Sequence, residues 1–97
     1  MKFRLSRAAQ EDLISIYVHG VREFGMAQAE AYQDQIDHTI ELIAENPQIA
    51  RQRNELDPPV RVHPVNSHLI VYMIEDGAVR ILRVRHARED WISNPNA

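Results

Sequence analysis

The spacing of apolar residues changes once along this chain, at Pro59, and that change fixes most of what the chain can fold into. Before it, Leu13, Ile16, Tyr17, Gly20, Val21 and Phe24 recur at steps of three and four, which is one face of a helix. Ser6 stands before that run as an N-cap, with Glu11 and Asp12 in the opening turns, and Gly25 ends it. A second run follows at once: Ala29, Tyr32, Ile36, Ile40 and Ile43, with Glu30, Asp34, Asp37, Glu41 and Glu45 on the opposite face. Asn46-Pro47 stops it, because proline cannot continue the helical ladder and disfavours helix in the residue before it. Two amphipathic helices with a one-glycine joint form a helical hairpin.

After Pro59 the period becomes two. VRVHPV (60–65) alternates, HLIVYMI (68–74) reads as a buried central strand, and AVRILRVR (78–85) follows an Asp76-Gly77 hairpin turn. Asn66-Ser67 is a turn signal, and Pro64 makes strand 60–65 either an edge strand or one bulged at that point. KFRL (2–5) is a further short strand ahead of the hairpin, QIARQRNELDPP (48–59) a connecting loop, and AREDWIS (87–93) a short C-terminal helix or turn. The expected architecture is α+β, in the order β-α-α-β-β-β: an antiparallel sheet packed on an N-terminal helical hairpin, one domain over residues 1–97.

Charge is distributed unevenly. The formal net charge is −3, yet residues 1–7 carry +3, residues 8–50 carry −7, residues 51–88 carry +3 and residues 89–97 carry −2. Such asymmetry suggests an interaction surface, with internal neutralisation of helix acids by sheet arginines as the alternative. Ten of the eleven basic residues are arginine, whose planar fork suits carboxylate and phosphate. In ILRVRHARED (81–90), strict alternation puts Val79, Ile81, Arg83 and Arg85 on one face and Ala78, Arg80, Leu82, Val84 and His86 on the other. Arg61 approaches across the meander, and Arg51, Arg53 and Arg88 adjoin from loop and tail. The expectation is a guanidinium-rich patch on the side of the sheet away from the hairpin, able to receive an acidic protein partner or a nucleic-acid backbone. Trp91 anchors the tail on the core or serves as a contact residue.

Several chemistries find no support. With no cysteine there is no disulfide, thiol catalyst or cysteine zinc site. His19, His38, His63, His68 and His86 show no helical metal spacing, and three glycines make no phosphate loop, so no metal or cofactor is expected. His86, beside Arg83 and Arg85, is the one histidine placed to act as a general base. No signal peptide and no apolar run of membrane-spanning length occurs, which points to a cytoplasmic protein without a membrane partner.

The strings LSRAAQEDLISI (5–16), EFGMAQAEAYQDQI (23–36), AENPQIARQRNEL (44–56), VRVHPVNSHLIVYMIEDG (60–77) and VRILRVRHAREDW (79–91), in this order, resemble the ParE branch of the RelE/ParE toxin superfamily over almost the whole chain. The resemblance implies a toxin of a type II toxin–antitoxin pair that inhibits DNA gyrase and blocks replication. It also implies a ParD-like antitoxin that binds the toxin through an acidic, amphipathic C-terminal part, giving a hetero-oligomer; operator DNA is bound by the antitoxin and not by this chain alone. Arg51, Arg53, Arg61, Arg80, Arg83, Arg85, His86, Arg88 and Trp91 are then the expected antitoxin- or target-binding residues. The superfamily's other branch cleaves mRNA on the ribosome. On that alternative Arg61 and Arg83 hold the scissile phosphate and His86 is the acid/base, but no tyrosine follows the last strand. Ala50, Pro59 and Arg85 stand where the family commonly has glycine, glycine and leucine.

Overall fold

Backbone hydrogen bonds organise the chain around a sheet built from both its ends. The computed structural model describes residues 1–92. β1 (Lys2–Leu5) leads into α1 (Arg7–Phe24). The Ser6 hydroxyl accepts from the Ala9 N–H at 3.0 Å, the expected N-cap bond. α1 ends at Gly25, whose φ of 89° is open to glycine at little cost, and its N–H donates to the Val21 carbonyl at 3.0 Å. α2 (Met26–Glu45) starts at the next residue. The two helices approach closely where Gly20 faces Ala29: a Cβ placed on Gly20 would sit 3.3 Å from the Ala29 Cβ. α2 buries Ala29, Ile36, Ile40, Ile43 and Ala44 and stops ahead of Pro47, where one 3₁₀ turn (Pro47–Ile49) follows.

β2 (Arg61–Val65), β3 (His68–Glu75) and β4 (Ala78–His86) form the meander expected from the period-two segments. Asp76 and Gly77 have φ of 52° and 72°, the paired left-handed residues of a tight hairpin. β2 is an edge strand, one of the two alternatives set by Pro64, and the sheet order is β1-β4-β3-β2. The sheet is mixed and not wholly antiparallel, since β1 lies parallel to β4. Of the two alternatives for the tail the turn is found: residues 87–92 are turns and irregular backbone without a helix, and Ser93, the end of the expected segment, lies outside the described residues.

A β-bulge at Leu82 overturns the strict alternation expected for β4. Tyr72 pairs with Ile81 and Val71 with Arg83, leaving Leu82 as the extra residue. The apolar positions change parity there, from 79 and 81 to 82 and 84. Val79, Ile81 and Val84 join the main core under the hairpin with Ala9, Ile36, Ile40, Ile43, Val65, Ile70 and Tyr72. Leu82 turns to the other face and joins Leu56, Val60, Val71 and Trp91. The opening of α1 satisfies the groups this irregularity frees. The Ser6 hydroxyl donates to the Leu82 carbonyl at 2.7 Å, and the Val84 N–H donates to Asp12 Oδ2 at 2.9 Å.

Candidate interaction surface

The bulge also divides the residues expected to form one arginine patch. On the face away from the hairpin, Trp91 (6% exposed) closes a small apolar cluster, and Val62, Leu69 and Met73 pack against it. Arg53 lies over the Trp91 ring at 5.3 Å, so the loop and the tail hold each other in place. Arg51 and Arg53 both bond Glu55, each at 3.2 Å. Those two guanidiniums and its own backbone N–H, with Arg51 contributing most, pull the Glu55 carboxyl down to about 2. Arg80 pairs with Glu75 at 3.5 Å and Arg85 with Glu89 at 2.9 Å. Glu89 also accepts the His86 N–H at 2.9 Å; that bond, then Arg85, holds its pKa below the usual carboxylate range. Arg88 is exposed on the turn after β4, its N–H donating to His86 Nδ1 at 3.1 Å.

Arg61 and His86 do not belong to this face, and Arg83, though opposite Val71, turns its guanidinium away from it. Arg83 makes a two-pronged bond to Asp12 of α1, Nε to Oδ2 at 2.7 Å and Nη2 to Oδ1 at 2.9 Å. Both side chains are largely buried, and the bond to Asp12 raises the Arg83 pKa. Arg61 donates to the Ala50 carbonyl at 2.6 Å and flanks Tyr72, whose hydroxyl donates to the Pro47 carbonyl at 2.8 Å. His86 turns under the hairpin, edge-on to His68 at 5.2 Å between ring centroids. Arg61 pairs with Tyr72 and His86 with His68, four residues apart along β3, so the two groups stand about 13 Å apart along the strand. The three residues of the ribonuclease alternative are therefore not assembled into one site.

A cleft that no local sequence pattern announces lies on the hairpin side. It opens to about 710 Å³ between the two helices and the end of the sheet, and its lining includes Ser15, His19, Tyr32, Gln35, His68 and His86. Tyr32 Oη lies 2.6 Å from His68 Nδ1 and 3.2 Å from the Val65 carbonyl. Burial raises the Tyr32 pKa, and burial followed by the neighbouring His86 lowers that of His68. His63 instead bonds the Pro64 carbonyl, so His63 and His68 form no pair across their turn. Among the described residues no group of three or more His, Cys, Asp or Glu side chains is placed to hold a metal ion, and no helix is long and apolar enough to cross a membrane. The parity slip from Ile81 to Leu82 was the signal that could have placed His86 beside His68. No local pattern announces Tyr32 or Asp12 as their partners.

A helical hairpin laid on a four-stranded mixed sheet, with an arginine-bearing loop and a tryptophan-anchored tail on the open face, defines a class of small α+β proteins. The family model described as ParE toxin of type II toxin-antitoxin system, parDE, matches residues 3–91. The chain belongs to this family. It is similar to Toxin ParE1 of Mycobacterium tuberculosis, with 34% identity over 90 residues and 92% of each chain covered. It is also similar to Toxin ParE1 of Caulobacter vibrioides, with 34% identity over 84 residues, 87% of this chain and 86% of that one. A solved structure titled "Chromosomal ParDE TA system from P. aeruginosa" shares the fold, with a TM-score of 0.75 and 23% identity over 89% of this chain and 95% of that chain. The protein is a ParE toxin of a type II toxin–antitoxin system, and an antitoxin is its partner.

Proposed function

We propose that this toxin acts by binding DNA gyrase and blocking replication, and that a ParD-like antitoxin neutralises it in a hetero-oligomer. The observation that carries the choice of a binding toxin over a ribonuclease is the fate of Arg83. Its guanidinium is taken up by Asp12, with side-chain exposures of 19% and 16%, and Arg61 and His86 stand opposite Tyr72 and His68, four residues and about 13 Å apart along β3. A phosphate-holding cation must be able to leave its resting partner, and a largely buried two-pronged pair does so at high cost. The arginines on the open face are different. Arg51, Arg53 and Arg80 bond glutamates that are 42–50% exposed, contacts that an incoming carboxylate exchanges at small cost, while Arg85, 15% exposed beside Glu89, is held more firmly. That favours this face as the receiver of an acidic antitoxin segment. Arg88 and Ile92, exposed on either side of the buried Trp91, are then the target-facing residues of the tail. A net charge of −3 disfavours DNA binding by the chain alone, and the cell compartment implied is the cytoplasm.

Pulse labelling after brief expression from a tight promoter tests the reading. DNA synthesis is expected to fall before protein synthesis, and purified toxin is expected to inhibit supercoiling by gyrase. An earlier fall in protein synthesis would overturn it.

A further inference from the structure

Among the described residues β1 has one edge with no strand beside it: it is the end strand of the sheet, and β4 is its one neighbour there. The parallel pairing directs the backbone groups of residues 2, 4 and 6 toward β4, as the Ser6 N–H to Ile81 carbonyl bond of 2.9 Å shows. Residues 3 and 5 therefore direct theirs outward. The Leu5 carbonyl is met by the Gln10 side chain at 3.4 Å, while Phe3 presents both its N–H and its C=O to solvent and Leu5 its N–H. Side chains differ across the strand. Phe3 shares the hairpin side with Leu5 and borders a groove whose lining also includes Met1, Glu41, Ala44 and Glu45 and, at the strand's start, part of Lys2; Phe3 is 41% and Met1 55% exposed. Lys2 and Arg4 lie on the other side, Arg4 directly across from Arg80, and among the described residues neither Lys2 nor Arg4 makes an ion pair. The opposite edge of the sheet differs, because Pro64 removes a donor from β2.

We infer that the open edge of β1 receives one extended strand from a partner protein, with an apolar residue opposite Phe3 and acidic residues on either side of it, opposite Lys2 and Arg4. Phe3 supplies two hydrogen bonds and Leu5 a third, the main-chain part of strand addition. The alternating side chains supply the selectivity. Charge decides the occupant. In an antiparallel pair, an outward-directed residue must face an outward-directed residue, so two copies of β1 meet only at odd positions. Such pairing sets Arg4 against Arg4, or Lys2 against Arg4, on the open side, and like charges directly opposite disfavour it. The same cations attract a strand that carries acids at those positions. The inference concerns β1 alone and is separate from the arginines of the loop and β4.

The test uses the full chain and a capped octapeptide of alternating valine and glutamate, with the valine–lysine peptide as control. Amide exchange of Phe3 and Leu5 is expected to slow on adding the glutamate peptide and to stay unchanged with the lysine peptide. Arg4→Glu, an exposed substitution that leaves the core intact, is expected to weaken the glutamate peptide about tenfold and to admit the lysine peptide. Unchanged exchange at both amides would overturn the inference, as would equal binding of both peptides. Protection of Phe3 and Leu5 that rises with protein concentration alone would overturn it in favour of a second copy of this chain.

Discussion

Replacing Asp12 by alanine is the substitution whose cost can be worked most directly from the structure. The Asp12 carboxylate accepts three hydrogen bonds, from Arg83 Nε at 2.7 Å, Arg83 Nη2 at 2.9 Å and the Val84 N–H at 2.9 Å. Its removal leaves the Arg83 guanidinium, 19% exposed, without its bonded counter-charge and with only the more distant Glu89 and Glu11, and it removes the acceptor of the Val84 N–H. Breaking a fully buried pair from one side costs about 3–5 kcal/mol, and residual solvent access puts this one near the lower end, about 3 kcal/mol. In a domain of this size that is a fall in melting temperature of roughly 15 °C. Arg83→Met, which leaves Asp12 its bond to Val84 and its partial exposure, is expected to cost about half as much. The double variant is expected to be more stable than the sum of the two losses allows, because it buries no orphaned charge. Urea denaturation of the four proteins closes the cycle. A coupling between Asp12 and Arg83 below about 0.5 kcal/mol would refute the claim that this pair ties β4 to α1.

Two further outcomes follow from the same geometry. Trp91→Ala, at a site 6% exposed, is expected to lower stability by about 3 kcal/mol and to speed tryptic cleavage after Arg88; an unchanged melt would mean that the tail is not anchored by its indole. His68 has a folded pKa below its ordinary value of 6.5 through burial and the nearby His86 and His19, with Glu89 and Asp12 acting the other way. The folded state then binds fewer protons than the unfolded one below 6.5, so this contribution to stability is present above that pH and is lost as pH falls through the folded pKa. Urea midpoints for the parent and for His68→Gln are expected to diverge less as pH is lowered from 7 to 5. Parallel profiles would show that His68 is not the linked group.

Much of this fold was legible because each element carries its own signal. The Leu13–Phe24 and Ala29–Ile43 stripes define the hairpin. Gly25 and Pro47 mark its joint and its end. Asp76-Gly77 sets the last turn, where both residues take positive φ. What was not legible depends on relations between distant segments. Four residues at the N-terminus do not specify which strand they join or in which direction, so the parallel pairing of β1 with β4 came only with the structure. The site was less legible than the fold for a single local reason. One inserted residue at Leu82 moves every later side chain of β4 to the other face. His86 thereby leaves the expected patch for the Tyr32–His68 cleft, while Arg83, opposite Val71 of the open face, turns its guanidinium to an acid 71 residues earlier. The parity of Val79, Ile81, Leu82 and Val84 encodes the slip, but the identities of Asp12 and Tyr32 as partners do not follow from it.

The chain's acidity and its arginines are reconciled by the same division. Asp12 spends its charge internally, fixing the strand that carries the last arginines, and a partner cannot easily displace it. Glu55, Glu75 and Glu89 instead sit half-exposed beside Arg51, Arg53, Arg80 and Arg85. The pairs at Glu55 and Glu75 contribute at most about 1 kcal/mol each, so releasing those glutamates costs little, whereas Arg85, 15% exposed, is held more firmly. Glu55 and Glu75 hold Arg51, Arg53 and Arg80 in place on the open face at low cost, and Arg53 is held further by Trp91. On the proposed function, an acidic antitoxin segment therefore exchanges one carboxylate for another on a largely preorganised surface. Its affinity then comes mainly from the apolar contacts and backbone order added around those pairs, with the ion pairs fixing register. Salt is accordingly expected to slow association more than it speeds dissociation.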